Sequence, residues 1–219
     1  MSLELISFKT CPFVQRTVIT LGYKNVAHKI TFIDLANPPE WFLELSPMGK
    51  VPVLKVDGEV LFESAVINEY VDEITGSELQ PKEPLTRAKN RAWIEYASNI
   101  LGTGYMMKMA RDKEVYEKYR SELDSQMQRI ENELGDGPWF NGDQFSLADT
   151  AFAPVFVHDA VADYRFSVID FESLPKISAW SKRLLAMPAV KQSVVADFDA
   201  IYLTAIERSG SYCWQNSIN

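Results

Sequence analysis

A chain of 219 residues with a net charge of −8 lacks the clustered cations needed to hold a nucleic-acid backbone or an anionic membrane surface. Hydrophobic residues make up 47% of it, enough for a packed core and too many for a disordered segment. Two cysteines, Cys11 and Cys213, are too few for a secreted disulfide framework, and with two histidines they form no zinc spacing, so no metal is expected.

No apolar run is long enough to span a bilayer, and Met1-Ser2-Leu3-Glu4 opens without the basic and apolar segments of a secretory signal. A reducing, cytoplasmic compartment is expected. In chain order, residues 3–8 read as a short buried strand. Pro12 suits a first helical position, and Val14, Val18, Ile19 and Leu21 carry a helix to Gly22. Residues 29–34 alternate as a second strand, and 39–45 suit a short helix. Residues 51–56 and 60–62 flank Asp57-Gly58, a hairpin signal. Ser64 then opens an amphipathic helix with Val66, Ile67, Tyr70 and Val71 on its apolar side.

This β-α-β-α-β-β-α order ends at 76–84, where two prolines and a lost periodicity mark a linker. Beyond it no strand is expected. Residues 85–111 and 114–134 read as long helices, and Gly135-Asp136-Gly137-Pro138 breaks the pattern. Further helices are expected near 147–162, 174–186 and 190–203. The domain division is therefore 1–76 (α/β), a linker over 77–84, and 85–219 (all-helical).

Four motifs stand out. Thr10-Cys11-Pro12-Phe13 puts a cysteine between a strand and a helix, where backbone N–H groups and the helix dipole stabilise a thiolate. Cys11 is thus expected to have a lowered pKa and Cys213 an ordinary one. A buried structural cysteine is the plainer reading. Position 14 is Val14, so the two-thiol redox pattern is absent. Val51-Pro52 opens a strand: a cis bond there turns the Val51 backbone toward a bound peptide, and an ordinary trans proline on an edge strand is the other reading. Glu63-Ser64 lies at a strand-to-helix junction, where free N–H groups bind a carboxylate, or where Ser64 simply caps the helix. Ser146-Leu147-Ala148-Asp149 is a capping box with Asp in place of Glu, a structural signal for Ser146 and Asp149 that carries no chemistry.

The order of these motifs is more informative than any one of them. The Cys-Pro-Phe start, the run Ser46-Pro47-Met48-Gly49-Lys50-Val51-Pro52-Val53-Leu54 and the later Glu63-Ser64 together resemble the N-terminal domain of cytosolic glutathione transferases of the cysteine type. The Ser146–Asp149 box is similar to one in that family's helical domain. Pro39-Glu40-Trp41-Phe42 is similar to the omega class, although Pro38 stands where that class often has Lys. The resemblance implies a thioredoxin-like N-terminal domain followed by an all-helical C-terminal domain, with glutathione as co-substrate. It assigns Cys11 to the glutathione sulfur, Phe13 to the site lining and the Val51 backbone, before a cis Pro52, to the cysteinyl part. Glu63 and Ser64 fall to the γ-glutamyl end and Lys50 to the glycine carboxylate.

A cysteine in this place favours a mixed disulfide with glutathione, hence thiol transfer or reduction of small oxidised substrates. The alternatives are a non-catalytic binding or regulatory protein of the same fold, and a glutathione-dependent dehalogenase or isomerase. The second partner is a small electrophilic or oxidised molecule. Tyr105, Met106, Met109, Tyr164, Phe166, Trp180 and Trp214 are candidates for its wall, and each also suits core packing. A homodimer is implied, with no nucleic-acid or membrane partner.

Overall fold

Strand β1 (Leu3–Ser7) is buried on both faces, and this decides the layout of the N-terminal part. Successive side chains of a strand point to opposite faces. Leu5 therefore packs with Leu54, Ile67 and Val71 on one side, and Ile6 with Phe42 and Val53 on the other. The computed structural model describes residues 1–162, 165–166 and 168–217.

Strands β2 (Lys29–Phe32), β3 (Val53–Val56) and β4 (Glu59–Phe62) complete one sheet in the order β2-β1-β3-β4. Strand β1 pairs parallel with β2 and antiparallel with β3, and β3 pairs antiparallel with β4. Asp57 (φ 49) and Gly58 (φ 102) supply the two left-handed residues that a tight two-residue hairpin requires. Helices α1 (Pro12–Tyr23) and α3 (Ser64–Ile74) cover one face, and α2 (Glu40–Leu45) the other through Phe42. The sheet is thioredoxin-like in this arrangement.

The helical part comprises α4 (Pro84–Met109), α5 (Lys113–Glu133), α6 (Leu147–Ala162), α7 (Pro175–Ala186), α8 (Pro188–Lys191), α9 (Phe198–Arg208) and α10 (Tyr212–Gln215). Helix α6 is its axis, buried on nearly every side. Its start is fixed by Asp149, which accepts from the Ser146 N–H and hydroxyl, the Phe140 N–H and the Trp180 indole, all at 2.8–2.9 Å. Reading 190–203 as a single helix is incorrect. The chain leaves helix after α8, where the Ser193 hydroxyl donates to the Val190 carbonyl at 2.6 Å, and turns again only at Phe198.

The stretch joining the two parts is pinned. The Asp72 carboxylate accepts from the N–H groups of Glu78 and Leu79 at 3.0 Å, and Lys24 Nζ bridges Asp72 and Glu78. The Leu79 carbonyl then accepts from the Leu147 N–H at 2.9 Å, which ties the connector to the start of α6. Among the described residues, no helix is long and apolar enough to cross a membrane.

Candidate functional site

Cys11 is the N-cap of α1, with Pro12 in the first helical position as the missing proline N–H allows. Its side chain is 6% exposed and closes no capping hydrogen bond. Burial pushes the thiol up to about 11. The backbone N–H groups of Val14 and Phe13 and the Arg16 charge pull it the other way without prevailing. The expectation of a lowered pKa from the helix terminus alone is therefore corrected: desolvation of the thiolate outweighs the local donors. Cys213 is also buried and also raised.

Arg16, one turn into α1, is 1% exposed. It donates to the Ala151 carbonyl at 3.0 Å and the Ser98 hydroxyl at 2.8 Å, so α1 is fastened to both α6 and α4. One terminal nitrogen, Nη2, is buried without a partner among the described residues. Burial lowers its pKa to about 10, and it remains a cation at neutral pH.

A cleft of about 250 Å³ collects Phe13, Lys50, Val51, Pro52, Glu63 and Ser64, together with Ser46, Met48 and Phe62. The Val51–Pro52 peptide is cis. The buried Ser46 hydroxyl donates to the Lys50 carbonyl at 2.8 Å and accepts from the Lys50 N–H at 2.9 Å, which holds the turn that precedes it. At the far end, Glu63 takes φ 69, a left-handed conformation that costs a non-glycine residue about 1 kcal/mol or more. Glu63, not Ser64, is the N-cap of α3, and its side chain makes no capping bond. The Glu63 side chain thus leaves the first N–H groups of α3 uncapped.

Cys11 does not line that cleft. It lines a neighbouring cavity of about 270 Å³ with Gln15 and the segment 192–195. A third cavity, about 150 Å³, is walled by Phe8, Thr10 and Pro12 on the Cys11 side and by α4, α6 and α9 opposite. It is mostly apolar and holds Lys108 and His158.

Residues 10–74 match the family model for the glutathione S-transferase N-terminal domain, and 94–188 that for the C-terminal domain. The chain is also 30% identical, over 87% of its length and 68% of the relative's, to the probable chloroplastic glutathione S-transferase DHAR2 of Oryza sativa subsp. japonica. It belongs to the glutathione S-transferase family. Glutathione S-transferase omega-1 of Sus scrofa is 28% identical over 86% of this chain and 78% of that one. Glutathione transferase Omega 3C of Trametes versicolor has the same fold, with a TM-score of 0.78, 25% identity and coverage of 88% and 89%.

In this glutathione S-transferase, the five residues expected at a tripeptide site share one cleft, and Cys11 stands apart from them at the head of the same helix as Phe13. Tyr105 and Met109 line the third cavity. Trp180 is core, 2% exposed against Phe140, Phe152 and Phe156. Met106 is exposed, Phe166 packs on the main core, and Trp214 stacks under Arg165. Tyr164 lies outside the described residues. Arg16, Lys108 and His158 were not singled out from the sequence. Only their burial marks them, and burial of a cation on an apolar helix face leaves no local pattern.

Proposed function

We propose that this chain is a cysteine-type glutathione transferase that passes thiols through a mixed disulfide at Cys11. The observation that supports this most is the cleft that gathers Phe13, Lys50, Val51, Pro52, Glu63 and Ser64 beside the helix that Cys11 caps. In this reading the uncapped N–H groups of α3, with Glu63 and Ser64, take the γ-glutamyl end of glutathione. The Val51 backbone pairs with its cysteinyl part, and Lys50 meets the glycine carboxylate. The glutathione-binding domain runs over 1–76, the linker over 77–84 and the helical domain over 85–219.

The chemistry is a disulfide exchange. The Cys11 thiolate attacks the glutathione sulfur of a mixed disulfide, and the S–S bond breaks. The substrate thiolate leaves and takes a proton. A second glutathione thiolate then attacks the Cys11–glutathione disulfide, which releases oxidised glutathione and restores the Cys11 thiolate. The substrate sits in the third cavity, against Phe8, Thr10 and Pro12. Both cysteines are free thiols, which suits a reducing, cytoplasmic compartment.

A second reading has one observation in its favour. The buried, raised Cys11 thiol suits a non-catalytic glutathione-binding protein. Turnover of hydroxyethyl disulfide, dehydroascorbate and a chlorinated aromatic separates the two. The disulfide and dehydroascorbate should turn over faster than the aromatic, and Cys11→Ser should lose most of that activity. No turnover of any of the three, with glutathione still bound, leaves the binding protein.

The chain should also pair as a homodimer. A groove of about 470 Å³ between α3 and α4 is lined by apolar Leu61, Ala65, Val66 and Ile94 and by charged Glu69 and Arg91. Val66 in that lining is 54% exposed, and Phe62 is 45% exposed. Light scattering should give about twice the chain mass of 24.9 kDa. A mass equal to one chain removes the dimer.

A further inference from the structure

Lys108 brings an ammonium to the mostly apolar third cavity. It stands in the last turn of α4, 8% exposed, and makes no ion pair among the described residues. Its Nζ lies 5.6 Å from the centroid of the Tyr202 ring. One turn back is Gly104, where a Cβ would come only within 3.9 Å of Nζ, so the space beside the ammonium is open. The end of α4 is clasped by the tail: the Tyr212 N–H donates to the Ala110 carbonyl at 2.7 Å, and the Cys213 thiol to the Lys108 carbonyl at 3.6 Å.

Across the same cavity is His158 of α6, 6% exposed. Its ring stands edge-on to Phe198 and Tyr202, with centroids 5.1 and 4.8 Å apart, and its Nε2 is buried without a hydrogen-bond partner among the described residues. Burial and the Lys108 charge keep the imidazole neutral, down to about 3. Asp159 lines the cavity too, 2% exposed, and is not without a partner of its own. The unpaired ring nitrogen of His158 carries a desolvation cost that folding alone leaves uncompensated, and the Lys108 ammonium is met by the Tyr202 ring. An oxygen acceptor arriving in the cavity compensates the ammonium, and the Nε2–H tautomer of His158 can donate to the same ligand.

We propose that Lys108 and His158 select a co-substrate that joins an apolar body, seated against Phe8 and Pro12, to a carboxylate or like oxyanion. This rests on the thiol-transfer reading above, so its test uses one readout with turnover and one without. The turnover pair is the mixed disulfide of glutathione with 4-mercaptobenzoate and that with 4-mercaptobenzamide, which differ only in the charged group. The binding pair is 4-(methylthio)benzoate and 4-(methylthio)benzamide, titrated calorimetrically with glutathione present.

The carboxylate should be favoured in kcat/KM and in affinity by about tenfold or more, as for a charge-assisted hydrogen bond. Lys108→Met should bring both ratios close to one, and Lys108→Arg should keep most of the preference. His158→Phe should reduce it by a smaller factor. An amide handled as well as the carboxylate by the unaltered protein overturns the proposal, whether or not the variants fold. Absence of turnover with the binding preference intact overturns thiol transfer and leaves the selection standing.

Discussion

The guanidinium of Arg16 lies over the ring of Phe13, 5.1 Å from its centroid, and donates to Ala151 and Ser98 on two other helices. One side chain thus supports the wall of the cleft and joins the sheet part to the helical part. Arg16→Met leaves the Ala151 carbonyl buried and without this donor. Urea unfolding should show a loss of about 2–4 kcal/mol. The same variant should raise the Cys11 pKa further, since the Arg16 charge is one of the groups that lower it.

The raised Cys11 thiol gives the free protein a definite alkaline behaviour. The iodoacetamide labelling rate of Cys11 should climb about tenfold per pH unit through the alkaline range, without a plateau near neutrality. Between 9.0 and about 11 the folded chain keeps a proton that the unfolded chain has lost. That contribution to stability is complete below pH 9 and is lost as the pH rises through about 11, a difference of about 2–3 kcal/mol. Cys11→Ser, which does not titrate, should be flatter over the same window in urea melts. A labelling plateau below pH 8 contradicts the burial argument.

Glu63→Ala and Ser64→Ala should each weaken glutathione binding by about tenfold while melting near the parent temperature, because the Glu63 side chain makes no capping bond to α3. Calorimetric titration and a thermal melt of each variant check both halves. Equal loss of affinity and of stability returns these residues to a purely structural role.

His158 predicts an acid limb. Its pKa falls from an ordinary 6.5 to about 3, through burial first and the Lys108 charge second. Lys108, Asp159 and Tyr202 share the cavity with it, and Tyr202 meets its ring edge-on. Below 6.5 the unfolded chain takes up a proton that the folded chain refuses, so stability present above pH 6.5 is lost as the pH falls toward about 3. Urea midpoints measured from pH 7 to pH 4 should fall less steeply in His158→Phe than in the parent. Parallel slopes would falsify the assignment of this limb to His158.

Much of the fold is written locally. Asp57-Gly58 announces its hairpin because two adjacent left-handed residues have few alternatives, and Pro12 announces α1 because proline tolerates the first turn and little else. Helix α6 is found at its bounds because Ser146 and Asp149 close its start. The break at 192–197 is not local. The apolar spacing continues through Val194 and Val195, while the chain is diverted by Ser193, which accepts from the Gln15 amide of α1 at 2.9 Å. Helix α10 is four residues long: Ser211 caps its start by accepting from the Trp214 N–H at 3.4 Å, while the Ala110 carbonyl, a partner about a hundred residues away, holds it in place, and one turn is too short to show a periodicity.

The site divides in the same way. The Cys-Pro start, the Val51-Pro52 pair and Glu63-Ser64 are legible as motifs, since each is a backbone device at an element boundary. The pKa of Cys11 is not, because a sequence displays the helix terminus and hides the packing that desolvates it. Lys108 and His158 are fifty positions apart on different helices, and neither local stretch points to the other. Which buried cation faces which cavity is a property of tertiary packing alone.

The left-handed backbone of Glu63 carries a consequence for laboratory evolution. Glycine at this position relieves the torsional penalty at once, and no side-chain cap is forfeited. A library selected for heat resistance with no demand on glutathione should therefore accumulate Glu63→Gly early, whereas one screened for thiol transfer at the same temperature should hold the glutamate. Sequencing the two pools at this single codon would report how much thermal robustness the chain gives up to keep a carboxylate at the mouth of its cleft.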